Sequence, residues 1–364
     1  STHTTSSAAS DVYKRQHSSD SGPHIKATPL GSRSVGDVFL SEGFVIETRN
    51  LRKMYGPHLA LDDVDVQIPR GAIGILGPNG AGKSTFFKCI LGLITTTSGE
   101  GNVLGYDIKT QGDIIRSSIG YMPEYDSLDP DLNAIDQVRY AGELLGMNPA
   151  AAMQRAHEVL EYVGLRDQRY RKIESFSTGM KQATKLACAI VHDPEILICD
   201  EPTNGLDQRS REFMLNTLRR TVDEGGGTVL MSSHVMDDVQ EVCDRVVLIH
   251  KGQIVVNRPI TDLADQIEKE VEAVIWGGAS KMEEALISNG LKVRRMGRVM
   301  RVTIEDENTI DRIISTAAKS EVQIRELREY EPDLEDIFLL IMDKLGARVK
   351  GTSELMTSEH TGGE

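Results

Sequence analysis

Apolar positions along the chain change their spacing several times, and each change predicts an element. Phe44–Thr48 and Leu59–Ile68 alternate or cluster apolar residues as strands do, around the turn Tyr55-Gly56-Pro57-His58. Ile73–Leu76 is a short apolar run of the kind a buried strand carries, and Phe86–Leu93 suits a helix that ends near Ser98-Gly99-Glu100-Gly101. Ile119–Met122 reads as a short strand closed by Pro123. From Ile135 to Val163 the period turns helical, with Val138, Ala141, Leu144 and Leu145 and then Ala156, Val159, Leu160 and Val163. Gly146-Met147-Asn148-Pro149 divides that stretch into two helices. A further helix spans Met180–Val191, and Ile196–Cys199 and Thr228–Met231 read as buried parallel strands. Arg245–Ile249 and Gln253–Val256 flank Lys251-Gly252, a hairpin signal.

After about Leu263 the pattern shifts. Glu270–Trp276 predicts a strand, Lys281–Asn289 a helix, Leu291–Arg295 and Val299–Ile304 strands, Thr309–Ala318 a helix and Val322–Tyr330 a strand. That βαββαβ order is the split-βαβ arrangement of ferredoxin-like domains, a small α+β fold, and Pro332–Leu345 adds a closing helix. The expected organisation is a tail over 1–42, a first domain over 43–264, a second over 265–347, and a polar tail over 348–364. Residues 1–42 are rich in Ser, Thr, Gly, Asp and His, have no apolar periodicity and lack the apolar core of a secretory signal, so a disordered tail is expected.

Composition narrows the function classes. The chain has 364 residues, enough for two domains, and no apolar run approaches the roughly 20 residues of a membrane-spanning helix. A membrane role therefore has to come through a partner. The net charge of −14 argues against a broad electrostatic grip on nucleic acid or on an anionic bilayer. Cys89, Cys188, Cys199 and Cys243 lie far apart with no C-x-x-C spacing, as core thiols in a reducing cytosol would.

The chemistry concentrates in a few places. Gly77-Pro78-Asn79-Gly80-Ala81-Gly82-Lys83-Ser84-Thr85 joins a strand to a helix, the context of a phosphate-binding loop. Beside the plain reading of an ordinary glycine turn before a helix, its glycines can let backbone N–H groups close around phosphates, Lys83 can reach the β- and γ-phosphates, and the Ser84 hydroxyl can ligate Mg²⁺. Ile196–Cys199 delivers Asp200 and Glu201, either two solvated acids at a strand end or a Mg²⁺-holding acid beside a general base. Ser233-His234 follows the next strand, as a loop histidine or as a group that binds the γ-phosphate and holds the attacking water. Ser177-Thr178-Gly179-Met180 opens a helix, where Ser177 or Thr178 is an N-cap; as a phosphate-binding start it needs an anion from a second copy. Tyr55 is an exposed turn aromatic or a stacking platform for adenine.

In this order, over about residues 44–260, the elements resemble the ATP-binding subunit of an ABC transporter. GPNGAGKST resembles the Walker A loop, ILICDE the Walker B strand, FSTGM the signature, Thr203-Asn204-Gly205-Leu206-Asp207 the D-loop and Ser233-His234 the switch histidine. The resemblance implies an α/β fold with a P-loop, RecA-like core, an antiparallel β-subdomain and a helical subdomain at about 127–189. It implies two subunits packed head to tail around two ATP molecules, Tyr55 on adenine, and Ser177, Thr178 and Gly179 on the γ-phosphate in trans, with Asp207 crossing the interface. It implies catalysis by Glu201, His234 and Lys83, and Mg²⁺ on Ser84, Asp200 and Glu124.

Three positions depart from the family pattern: Glu124 stands where Gln is usual, Thr178 and Met180 replace the commoner Gly and Gln, and Ala183 replaces a common Arg. YMPE, STGMKQ and DEPTNGLD look most like exporter-type subunits, and Glu331–Phe338 resembles the family's C-terminal segment. The expected partners are an integral membrane permease and a second ATP-binding subunit, a homodimer by expectation, with no nucleic acid. The expected place is the cytoplasmic face of the cell membrane, held peripherally by the permease. The rival readings are a soluble ABC-type ATPase acting on ribosomes or nucleic acid, and a nucleotide-gated regulator with weak hydrolysis. Neither two nucleotide domains, long coiled-coil insertions nor zinc ligands favour the first, and Glu201 and His234 oppose the second.

Overall fold

The computed structural model describes residues 43–264, 269–330 and 332–344. The expected tails lie outside these residues. β1 (Phe44–Tyr55) and β2 (His58–Pro69) form a long antiparallel hairpin in which Tyr55 pairs with His58 across the turn. β1 is much longer than its apolar pattern predicted, because beyond Thr48 it is held by backbone pairing while many of its side chains reach solvent. β4 (Ser98–Val103) pairs with the other edge of β1, and β5 (Tyr106–Asp107) completes the order β2-β1-β4-β5. The expectation of a helix-ending loop at Ser98–Gly101 is thus corrected to a strand. A Cβ on Gly99 would come within 2.1 Å of the Asn50 carbonyl oxygen, so glycine is what lets β4 lie against β1.

The second sheet combines β3 (Ala72–Leu76), β6 (Ile119–Met122), β7 (Ile196–Asp200), β8 (Thr228–Ser232), β9 (Arg245–His250) and β10 (Gln253–Pro259). Its order is β10-β9-β3-β8-β7-β6, parallel throughout except for the β9–β10 hairpin. Every residue of β3, β7 and β8 is buried, as expected of strands covered on both faces. Their carboxyl ends open on one edge, where ligands bind in such sheets.

α1 (Lys83–Ile90) begins three residues before the apolar pattern predicted, since the glycine loop feeds straight into its first turn. α2 (Gly112–Ser118) follows β5. α3 (Ala134–Leu144) and α4 (Pro149–Tyr162) are the predicted helix pair, capped by Asn133 and by Asn148 with Pro149 at the first helical position. Two short 3₁₀ turns lead to α5 (Thr178–Ile190), whose N-cap Ser177 accepts from Met180 N at 3.3 Å. α6 (Gln208–Asp223) was not anticipated: it buries only Met214, Leu215, Thr217 and Leu218, too narrow a stripe to stand out. α7 (Met236–Val242) and α8 (Thr261–Ala264) complete this part. Burial pushes the Cys89 thiol up to about 11 and the Cys188 thiol to about 12, which keeps them inert.

Beyond residue 268, β11 (Glu270–Trp276), α9 (Ala279–Ser288), β12 (Val293–Met296), β13 (Val299–Thr303), α10 (Thr309–Ser320) and β14 (Gln323–Tyr330) follow in turn. Their sheet has the order β12-β13-β11-β14 with every neighbouring pair antiparallel. Val271, Ile275, Met282, Leu286, Met300, Val302 and Ile313 form a core separate from those of the first two sheets. α11 (Leu334–Lys344) does not join that core. Its Leu334, Ile337, Phe338 and Met342 pack in the same cluster as Val239 and Val242 of α7. Among the described residues no helix is long and apolar enough to cross a membrane.

That packing makes α11 part of the first core, so Ile337→Ala should destabilise the chain by about 2–4 kcal/mol. The urea midpoint of the α7-side transition measures it; an unchanged midpoint would show that α11 contributes nothing there.

Candidate functional site

A cavity of about 520 Å³ opens at the carboxyl edge of the parallel sheet, between the glycine loop and the β1–β2 hairpin. Asn79 through Thr85 form its floor, Tyr55, His58 and Ala60 one side, and Glu124, Asp200, Glu201, Asn204 and His234 the other. The loop is shaped by its glycines. Gly77, Gly80 and Gly82 have φ of 152°, 80° and 114°, in the region that favours glycine. A Cβ on Gly77 would lie 2.2 Å from the Ile249 carbonyl oxygen, and one on Gly82 would lie 2.7 Å from that of Ala60. Lys83 is buried and donates from Nζ to the Gly77 carbonyl at 2.7 Å, folding back over the loop. Burial pushes its ammonium below the usual lysine value, against the pull of the Glu201, Asp200 and Glu124 carboxylates.

The two acids at the end of β7 are buried and held from the neighbouring strand. Ser232 on β8 donates its hydroxyl to Asp200 Oδ1 at 2.6 Å and accepts the Glu201 backbone N–H at 3.0 Å. Glu201 has φ 51°, an uncommon conformation for a glutamate, and this bond helps hold it. His234 donates its backbone N–H to Glu201 Oε2 at 3.3 Å, and its ring Nδ1 lies 2.7 Å from the same oxygen. Among the described residues no hydrogen bond reaches Oε1. His234 itself is largely exposed to the cavity.

Behind the acids, Thr203 donates to the fully buried Asp238 of α7, whose other oxygen accepts from Arg211 of α6. Asp207 caps α6 by accepting the Ser210 N–H at 3.0 Å, and hydrogen bonding from Ser210 lowers its carboxyl below the usual range.

Of the residues singled out by sequence, Asn79–Thr85, Tyr55, Glu124, Asp200, Glu201 and His234 meet in this one cavity. Gly77 and Pro78 form the base of the loop. Ser177, Thr178, Gly179 and Asp207 do not line it. They lie together elsewhere: a Cβ on Gly179 would be 2.7 Å from Ser210 Oγ, and one on Gly205 3.4 Å from Thr178 Cγ2. His58, Ala60 and Asn204 were missed as lining residues, and so was Ser232 as the link between the acids. His58 sits in the turn already read beside Tyr55, and Ser232 directly precedes Ser233-His234, so position along the chain was the available signal.

The donor set suits a phosphate-bound hard cation. Ser84, Asp200 and Glu124 bring only oxygens to the cavity, and among the described residues no group of three or more His, Cys, Asp or Glu side chains is placed to hold a metal ion. A Mg²⁺ held by one or two protein oxygens and completed by phosphate oxygens and water matches that arrangement; a cation caged by protein alone does not.

Comparison with known proteins agrees with the geometry. Residues 61–204 match the ABC transporter family. The linearmycin resistance ATP-binding protein of Bacillus subtilis is 33% identical, over 81% of this chain and 97% of its own length. The daunorubicin/doxorubicin resistance ATP-binding protein of Streptomyces peucetius is 31% identical, over 81% of this chain and 92% of its own. A solved ATP-binding subunit of an ABC transporter aligns with a TM-score of 0.56 and 28% identity, over 61% of this chain and 92% of its own. A dimeric ATP-binding cassette in a post-hydrolysis state with ADP and Pi aligns with a TM-score of 0.55 and 25% identity, over 59% of this chain and 98% of its own. The α/β core is therefore a P-loop ABC ATPase fold, and the chain belongs to the family of ATP-binding, ATP-hydrolysing subunits of ABC transporters.

Proposed function

We propose that the cavity at the Walker A loop is where this subunit hydrolyses ATP to drive export through a separate membrane permease. The observation that carries the reading is the convergence of Lys83, Asp200, Glu201 and His234 on one cavity floored by the glycine loop. Adenine stacks on Tyr55, and the backbone of Gly77, Pro78, Asn79, Gly80, Ala81 and Gly82 with Ser84 and Thr85 cradles the phosphates. Lys83 exchanges its bond to the Gly77 carbonyl for the phosphate oxygens. Mg²⁺, when bound, neutralises phosphate charge from a place beside Ser84, Asp200 and Glu124.

Glu201 is the general base. Its Oε2 is engaged by His234, which leaves Oε1 to accept a proton from the attacking water. His234 is fixed through Nδ1 and turns its other ring nitrogen to the γ-phosphate; both nitrogens donate when the ring carries two protons. Ser232 is a positioning residue that sets the separation of the two acids.

Ser177, Thr178, Gly179 and Asp207 act on the site of a second copy in a head-to-tail homodimer. Their position outside the cavity of their own chain supports that assignment. Residues 43–264 form the ATPase domain, with a helical subdomain at about 127–189. Within the expected accessory domain over 265–347, the strand order β12-β13-β11-β14 supports a ferredoxin-like reading of the part up to β14, while α11 packs on the first core. Similarity along most of their length to two resistance ATP-binding proteins supports export, and on that reading the subunit sits on the inner face of the membrane, held by the permease.

Glu201→Gln should lower turnover by about 10²–10⁴-fold while ATP binding persists, leaving an ATP-bound dimer on size exclusion. Wild-type turnover in that variant would remove Glu201 from the role. Affinity capture of the same variant from detergent-solubilised membranes with ATP and Mg²⁺ should recover one multi-spanning protein in stoichiometric amount; recovery of the chain alone would oppose a permease partner. Lys83→Ala should abolish nucleotide binding or turnover, measured by equilibrium binding and phosphate release. Ser232→Ala leaves the Glu201 N–H buried without its partner and should cost about 1–3 kcal/mol by denaturant titration, with a fall in kcat.

A further inference from the structure

Glu124 leaves an electrostatic question at the cavity, and a buried cation on α5 answers it. A carboxylate at 124 joins Asp200 and Glu201 on one wall, so three acids face the place where a polyanion binds. Lys185 lies two turns along α5 from the signature residues, is only 5% exposed, and donates from Nζ to the Glu124 backbone carbonyl at 3.1 Å. One turn earlier on the same helix, Lys181 pairs with Asp126 at 3.3 Å. Two lysines of the signature helix thus hold the segment that carries Glu124, one by its backbone and one by a side chain. Lys185 is also within electrostatic reach of Asp126, Glu124 and Asp200.

A lysine this buried costs desolvation free energy, and packing alone does not call for a charge at a helix position with apolar neighbours such as Leu186 and Ala189. We infer that Lys185 is a positioning residue for ATP hydrolysis: it fixes the Glu124 segment to the signature helix and offsets the charge that Glu124 brings to the site. The helix that presents Ser177, Thr178 and Gly179 is then tied within the same chain to a residue lining the nucleotide cavity. A displacement of Glu124 on nucleotide binding moves α5, and a displacement of α5 moves Glu124. The inference rests on the reading of the cavity as the ATP site.

The test is a pair of substitutions in the full-length chain, with steady-state phosphate release and equilibrium ATP binding measured separately. Wild-type binding and turnover serve as the control; if wild type shows neither, the reading of the cavity fails and not this inference alone. With wild type active, Lys185→Met should lower kcat about tenfold while KM for ATP moves less than about threefold. Removing the carboxylate should relieve the defect: in a Glu124→Gln background the Lys185→Met penalty should shrink to about threefold or less. Equal penalties in the two backgrounds would overturn charge compensation and leave Lys185 an ordinary structural residue. An unchanged kcat in a folded Lys185→Met chain would overturn the positioning role. Circular dichroism establishes folding, and if Lys185→Met does not fold, Lys185→Gln carries the same comparison.

Discussion

The glycine loop is squeezed between two sheets, and the rest of the site depends on that contact. On one side it touches the parallel sheet, where any Cβ on Gly77 would overlap the Ile249 carbonyl. On the other it meets the antiparallel hairpin, where one on Gly82 would overlap the Ala60 carbonyl. Backbone hydrogen bonds tie the three parts together: Gly252 N–H donates to the Ala81 carbonyl and Asp62 N–H to that of Gly252, each at 2.9 Å. The β9–β10 turn therefore bridges the loop to β2. This junction carries Tyr55, His58 and Ala60 to the far wall of the cavity, although their strands belong to another sheet. A side chain at Gly77 or Gly82 would push the sheets apart before any nucleotide arrived.

Given that junction, the charges follow a simple logic. Parallel strands end together, so the residues after β7 and β8 gather beside the loop without long connections. The acids placed there repel one another, and each is stabilised by a partner from the next strand or helix. Ser232 serves Asp200, His234 serves Glu201, and Asp238 anchors Thr203 behind them. Lys83 is the cation inside the loop, and one lysine beside three carboxylates leaves the site short of positive charge. On the proposed reading, a divalent cation arriving with the phosphates would balance it.

Most of the cavity's lining was legible in the sequence, because each part rests on a short run of neighbouring residues. A glycine loop between an apolar strand and a helix, or two acids after four apolar residues, keeps its meaning without knowledge of the tertiary fold. What escaped was built from contacts distant in sequence or from backbone alone. Ser98–Val103 has no apolar period, yet it pairs with β1 because its glycines allow close approach. α6 has a polar surface and a narrow buried stripe. Asn204 and Ser232 matter through the cavity and through a neighbouring strand, and neither relation is visible along the chain. The reverse also occurred: Ser177, Thr178, Gly179 and Asp207 were legible as a group, but one chain has no site for them to complete.

Those four residues nevertheless form a unit inside the single chain, which bears on how two copies would work together. Gly179 lies so close to Ser210 that a side chain there would displace the Ser210 hydroxyl. That hydroxyl donates to Asp207 Oδ2 at 3.0 Å, and Asp207 caps α6. α6 in turn carries Arg211, whose guanidinium meets Asp238 of α7, the helix that follows His234. The start of α5 thus lies against Ser210 and Asp207 at the start of α6, and α6 carries Arg211 to Asp238 on the helix that follows His234. The glycine of the signature has a structural requirement independent of any phosphate, because it lets the starts of two helices approach. Mutations at Gly179 therefore disturb the donor chain's own Asp207 cap as well as any contact made in trans. Loss of activity there cannot be assigned to lost phosphate binding alone; a mixed dimer with the change in one copy separates the two effects.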